Sequence, residues 1–126
     1  MSSPAQVFTD YLSAFTSGEM ETAQSLVADD FAFNGPTMQV EGKQAFFAAA
    51  TQLAPIIRGF KMLRQFEDGD EVCSIYEFEV GSPATPGSIL MTEWCTVRDG
   101  QLTSSHLVFD TAAFGKLMPP APAPQS

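Results

Sequence analysis

Few side chains in this sequence are able to carry chemistry, and their scarcity limits the reactions open to it. There is one histidine, His106, and there are two cysteines, Cys73 and Cys95. A structural zinc site needs four Cys or His ligands at close spacing, and the chain has no CxxC unit, so no metal is expected. What remains is a handful of proton-carrying or hydrogen-bonding groups set among apolar residues. Glu93 stands between Met91 and Cys95 in an alternating segment, Tyr11 is in line with Phe8, Leu12 and Phe15, and Asn34 precedes Gly35-Pro36. A buried carboxyl group with such neighbours loses hydration in its charged form and favours its neutral one. Each residue also has a plainer reading. Tyr11 can be a packed helix tyrosine, Glu93 an outward charge if the strand phase slips by one, and Asn34 a turn residue whose side chain bonds the backbone.

These groups must be positioned by elements that the sequence spells out. Ser3-Pro4 opens a helix, with Ser as cap and Pro at the first position. Phe8, Tyr11, Leu12 and Phe15 then recur at helical spacing until Ser17-Gly18. A second short helix, with Met20, Ala23 and Val27 inward, is expected to end near Asp29-Asp30. Residues 31–34 and 38–40 read as two short strands about Gly35-Pro36. A third helix follows Glu41-Gly42, with Phe46, Phe47, Ala50 and Leu53 on one stripe, and Pro55 ends or kinks it. From Phe60 the period becomes two. Strands are expected at 60–67, 72–80, 89–97 and 102–109, with a loop over 81–87. Asp99-Gly100 is a strong two-residue hairpin signal, because both positions tolerate positive φ. Helices followed by an antiparallel meander indicate an α+β layer architecture, with helices on one face of a curved sheet around a cone-shaped cavity.

Composition narrows the partners. The chain has 126 residues, 44% of them hydrophobic, with eleven Phe, enough for one core and an apolar pocket. Net charge is −9, and the six basic residues are spread thinly, so neither nucleic acid nor an anionic membrane surface is an expected partner. No apolar run is long enough to span a bilayer and no signal peptide is visible, so a cytoplasmic protein is expected. The Pro/Ala-rich residues 119–126 read as a disordered tail. Cys73 and Cys95 fall on opposite strand phases, which excludes a disulfide between them.

Several of these pieces resemble one known superfamily. Tyr11-Leu12-Ser13-Ala14-Phe15-Thr16-Ser17-Gly18 and Leu26-Val27-Ala28-Asp29-Asp30-Phe31 are similar to the opening helices of the SnoaL-like, nuclear transport factor 2-like superfamily. Asn34-Gly35-Pro36 and Glu41-Gly42-Lys43 resemble its short hairpin and third helix. Val97-Arg98-Asp99-Gly100-Gln101-Leu102, with Val108-Phe109-Asp110, resembles its terminal hairpin. The resemblance covers about residues 5–114. It implies a single domain over 1–118, in which three helices from the N-terminal half pack on the concave face of a cone-shaped antiparallel sheet, the cystatin-like arrangement. It also implies which strand phase faces the helices: Ser74, Tyr76 and Phe78; Glu93, Cys95 and Val97; and Thr103, Ser105, Leu107 and Phe109.

The resemblance further suggests roles. Tyr11 falls where ketosteroid isomerases carry an oxyanion-hole tyrosine, and Glu93 where they keep a protonated aspartic acid that donates a hydrogen bond. The general base of those isomerases would sit at Gly35, which has no side chain. Aligned instead with limonene epoxide hydrolases, the catalytic Asn falls on Asn34, but the Arg and the two Asp of that enzyme fall on Tyr76, Phe78 and Leu107, which cannot replace them. Tyr11, Glu93 and Asn34 are therefore the candidate catalytic residues. Phe15, Phe33, Phe47, Tyr76, Phe78, Cys95, Ser105, Leu107 and Phe109 are the candidate ligand contacts. Two functions stay open: a cofactor-independent isomerase, cyclase or dehydratase of a small apolar compound, or a non-catalytic ligand-binding or interaction module. Relatives commonly dimerise through the convex sheet face, which here would use Ile75, Trp94, Thr96, His106 and Val108.

Overall fold

The computed structural model describes residues 2–82 and 85–117. The Pro/Ala-rich segment 119–126 and part of the loop expected over 81–87 lie outside them. Helix α1 (Pro4–Thr16) starts where the sequence places it: the Ser3 hydroxyl accepts the Gln6 amide at 3.2 Å and Pro4 occupies the first turn. Its apolar stripe, including Phe8, Tyr11, Leu12 and Phe15, is buried. Gly18, at φ +83°, lets the chain turn into helix α2 (Met20–Ser25). This helix is shorter than expected. Val27 to Asp30 are not helical but open strand β1 (Val27–Asn34), because Val27 pairs with Leu102 across the sheet. Strand β2 (Gln39–Glu41) pairs antiparallel with β1. Helix α3 (Lys43–Ala50) and a 3-10 turn over Thr51–Ile56, which holds Pro55, lead into the long strands.

Those strands are β3 (Ile57–Asp68), β4 (Glu71–Ser82), β5 (Thr85–Arg98) and β6 (Gln101–Phe109). They are longer than the sequence indicated, and β4 and β5 extend into the expected loop. The sheet is curved and open, with six strands in the order β2-β1-β6-β5-β4-β3. All neighbours are antiparallel except β1 and β6, which run parallel. Asp99 (φ 53°) and Gly100 (φ 75°) both take positive φ at the β5–β6 turn, as their types allow.

Two register shifts change which residues face inward. Between Met62 and Arg64 the β3 register slips, so Phe60 and Met62 face the core while Phe66 is 60% exposed. Between Thr96 and Val97 a second shift pairs Val97 with Leu102, leaves Thr103 without a partner, and buries Leu102 completely. The inward placement expected for Thr103 is therefore corrected in favour of Leu102. A short helix absent from the sequence reading, α4 (Thr111–Leu117), follows β6, started by Asp110, whose Oδ1 accepts the Ala112 amide at 2.9 Å. The core lies between the helices and the concave face, with Phe8, Phe31, Val72, Val80 and Leu102 fully buried. No helix among the described residues is long and apolar enough to cross a membrane.

Candidate functional site

A cavity of about 370 Å³ opens between the concave sheet face and α1, α3 and α4. Its lining is dominated by apolar and aromatic side chains: Phe15 from α1, Phe33 from β1, Phe46 from α3, Phe78 from β4 and Phe109 from β6. Its rim carries exposed residues, among them Pro36, Thr37 and Gln52, and Phe114 of α4 joins the lining in contact with Phe109, ring centroids 5.2 Å apart. Glu93 is the one charged-type residue among those lining it. Tyr11, Tyr76 and Glu93 are each at most 5% exposed, so the polar groups sit at the inner end and the rim is where solvent enters.

Three elements converge on Glu93. Alternation along β5 turns Glu93 inward between Met91 and Cys95. The Tyr76 hydroxyl, from the neighbouring strand β4, donates to Glu93 Oε1 at 2.7 Å. The Ser105 hydroxyl, from β6 on the other side, donates to Oε2. The Cys95 thiol lies 3.5 Å from Ser105 Oγ. Burial raises the Glu93 pKa above the usual carboxylate range, although the bonds from Ser105 and Tyr76 pull it down. Burial likewise pushes Tyr11, Tyr76 and Cys95 well above their ordinary values, and the nearby Glu93 charge adds to each. The ion pairs among the described residues, Lys43–Asp29 and Arg98–Asp70, are both at the surface. Arg64 is exposed and donates to its neighbour's carbonyl, Leu63 O.

The structure therefore gathers most of the sequence-derived candidates. Tyr11, Phe15, Phe33, Tyr76, Phe78, Glu93, Leu107 and Phe109 line one cavity. Cys95 and Ser105 are buried behind Glu93 and do not line it. Phe47 is buried against Phe15 and Phe46 but lies outside the lining. Asn34 does not join the group. It is exposed at the outward end of β1, where the alternation that buries Phe31 and Phe33 turns it away. The Tyr76–Glu93–Ser105 chain was not read from the sequence. Neither was Phe114, although Asp110 followed by Thr-Ala-Ala-Phe is a capped helix start.

Comparison with known proteins places this geometry. The family model described as a SnoaL-like domain matches residues 8–105. The chain belongs to the SnoaL-like family. Among solved structures, this SnoaL-like chain is similar to a protein from Kribbella flavida, at 25% identity and TM-score 0.79, covering 89% of this chain and 90% of that one. An NTF2-like protein from Cytophaga hutchinsonii shares 21% identity at TM-score 0.75, over 91% of this chain and 96% of that one. An LEH-like epoxide hydrolase of M. tuberculosis shares 16% identity at TM-score 0.79, over 90% and 88% of the two chains. At these identities the last two show the fold alone. Comparison with curated protein sequences finds no match.

Proposed function

We propose that this SnoaL-like protein is a small cofactor-independent enzyme acting by acid–base chemistry on an apolar carbonyl or hydroxyl compound, as an isomerase, cyclase or dehydratase. One observation carries the reading. Three ionisable groups, Tyr11, Tyr76 and Glu93, are buried at the inner end of a cavity that is otherwise mostly apolar and has no cation in its lining. Groups perturbed this way inside a cavity are the usual material of acid–base sites. Tyr11 and the Tyr76–Glu93 pair would hydrogen-bond a substrate oxygen as negative charge develops on it. In a dry site one such donor lowers the barrier by about 2.7–4 kcal/mol. An epoxide-hydrolase reading has no support here, because Asn34 faces away and Tyr76, Phe78 and Leu107 occupy the inner wall.

A second reading, a ligand-binding module without turnover, is favoured by Gly35 and by the lack of a second carboxylate in the lining. Proton exchange separates the two. A panel of apolar cyclic ketones is incubated with the protein in D₂O and their α-proton signals are followed by NMR. The enzyme reading expects exchange above the buffer rate, with solvent entering at the rim taking the α-proton while the buried donors hold the enolate oxygen, and expects it to be lost in Glu93→Ala. Ketones that bind, as shown by saturation transfer, yet exchange no faster than in buffer would leave the binding module.

A further inference from the structure

The hydrogen bonds around Glu93 can rearrange once the carboxyl is neutral. As arranged, both oxygens accept: Oε1 from Tyr76 at 2.7 Å and Oε2 from Ser105. Hydroxyl donors on both oxygens suit a carboxylate, which only accepts. A carboxylic acid brings a hydrogen of its own, and a hydroxyl that accepts it aims its own hydrogen elsewhere. Ser105 has an internal outlet, the Cys95 sulfur 3.5 Å away. Tyr76 has a different one, because it lines the cavity beside Tyr11. Of the two, a ligand oxygen at the inner end selects the second rearrangement, which turns the Tyr76 hydrogen towards it.

Burial shifts Glu93 towards the neutral acid, against the bonds from Ser105 and Tyr76. The ionisable groups facing Glu93 are Tyr11 from α1, Tyr76 from β4 and Cys95 on its own strand β5, with Ser105 from β6 completing the shell. None carries positive charge, and burial holds all three ionisable ones towards their neutral forms. A neutral site then offers two phenol donors and no free anionic acceptor. An ionised site offers the reverse, a carboxylate that would suit an ammonium group.

We infer that Tyr11 and Tyr76 together clamp one acceptor oxygen of the ligand, a ketone, aldehyde or enolate oxygen, and that Glu93 is the positioning residue that frees the Tyr76 hydrogen by carrying its own proton. This rests on the reading of the cavity as a site for an apolar carbonyl compound. It makes Tyr76, rather than Glu93, the second group touching that oxygen.

The experiment uses two probes of similar size, 2-acetylnaphthalene with a ¹³C carbonyl and the 2-naphthylmethylammonium ion. Binding is titrated across pH, and the ketone C=O stretch, which falls with each hydrogen bond, is read by infrared difference spectroscopy. In the wild-type protein the ketone is expected to bind about fivefold more tightly below the Glu93 pKa than above it, the scale of one hydrogen bond. Its C=O stretch should rise over the same pH range. Tyr76→Phe should show the higher stretch at every pH, and Glu93→Gln, which also brings hydrogens of its own, the lower stretch at every pH. An identical low-pH stretch in wild type and Tyr76→Phe, or a wild-type stretch that ignores pH, overturns the clamp while leaving the cavity reading intact. Preferential binding of the ammonium probe, abolished in Glu93→Gln, overturns it in favour of an ionised Glu93. Binding of neither probe to the folded protein overturns clamp and cavity reading together. The wild-type pH profile needs no variant, so it stands even if Tyr76→Phe fails to fold.

Discussion

Replacing Glu93 with Gln keeps the side chain's shape and, like the neutral acid, offers one acceptor and a donor, but removes its titration, so the pH dependence of the difference in stability between the two proteins isolates one group. In the folded protein, burial outweighs the bonds from Ser105 and Tyr76 and raises the Glu93 pKa. In the unfolded chain the same residue titrates near its ordinary value, about 4.3. Between those two values the folded state holds a proton that the unfolded state has released. The contribution of Glu93 to stability is thus complete below the unfolded pKa and is lost as pH rises through the folded one. Within that window the loss reaches about 1.4 kcal/mol for each pH unit, the linkage slope for one proton, and above the folded pKa it levels off. Urea unfolding followed by far-UV circular dichroism, from about pH 4 to about pH 8, gives the curve for each protein. Far-UV detection is preferable to tryptophan fluorescence because Trp94 is 54% exposed and senses packing poorly. Wild-type stability minus that of Glu93→Gln should be flat at the acid end, fall with pH, and flatten again. A difference that rises with pH across the acid range would mean that the hydrogen bonds outweigh burial, and would refute the reasoning.

Three further outcomes are expected. Ser105→Ala removes a bond that favours the ionised carboxyl, so it should move the falling part of that curve to higher pH; a shift to lower pH would contradict the assigned donor direction. Cys73 is half-buried on the outer sheet face and Cys95 is fully buried. A thiol reagent should therefore modify one cysteine quickly in the native protein and two after denaturation without reductant, and finding no thiol after denaturation would refute the strand phases. The outer sheet face exposes Phe66, Leu90, Trp94 and Val108, and we propose that a second copy of the chain covers it. Light scattering should then give a dimer mass that falls to the monomer in Trp94→Glu, and a wild-type monomer at micromolar concentration would dispose of this proposal.

Much of the fold was legible because local chemistry and global structure agree. Ser3-Pro4 supplies the cap and the first-turn proline of α1, and Asp99-Gly100 accepts the positive φ that its hairpin demands. Alternation placed Glu93, Tyr76 and Phe78 on one face without any structure. What alternation cannot show is an inserted residue. The shifts between Met62 and Arg64 and between Thr96 and Val97 reverse the phase beyond them, which is why Phe66 points outward and why Thr103 was misplaced. Val27 to Asp30 are strand because β6 lies alongside them, a long-range pairing that no local propensity records. The Tyr76–Glu93 contact has the same origin. Glu93 sits opposite Ser74, so Tyr76 is its diagonal neighbour across the β4–β5 pair. That register is not fixed by a two-residue turn, and sequence alone left it open. Ser105 is the matching diagonal on the other side, since Glu93 sits opposite Leu107.

Burial of Glu93 in the cavity favours its protonated form, and an acceptor ligand should favour that form further. Carboxyl ¹³C NMR of protein labelled at the Glu side-chain carbons follows it directly, with the Glu93 signal assigned by its absence in Glu93→Gln. The signal should titrate above the ordinary glutamate range in the free protein, and higher still when 2-acetylnaphthalene is bound, because an acceptor oxygen favours the neutral form. A Glu93 that titrates at or below the ordinary range, or whose pKa falls when the ketone binds, would contradict the account.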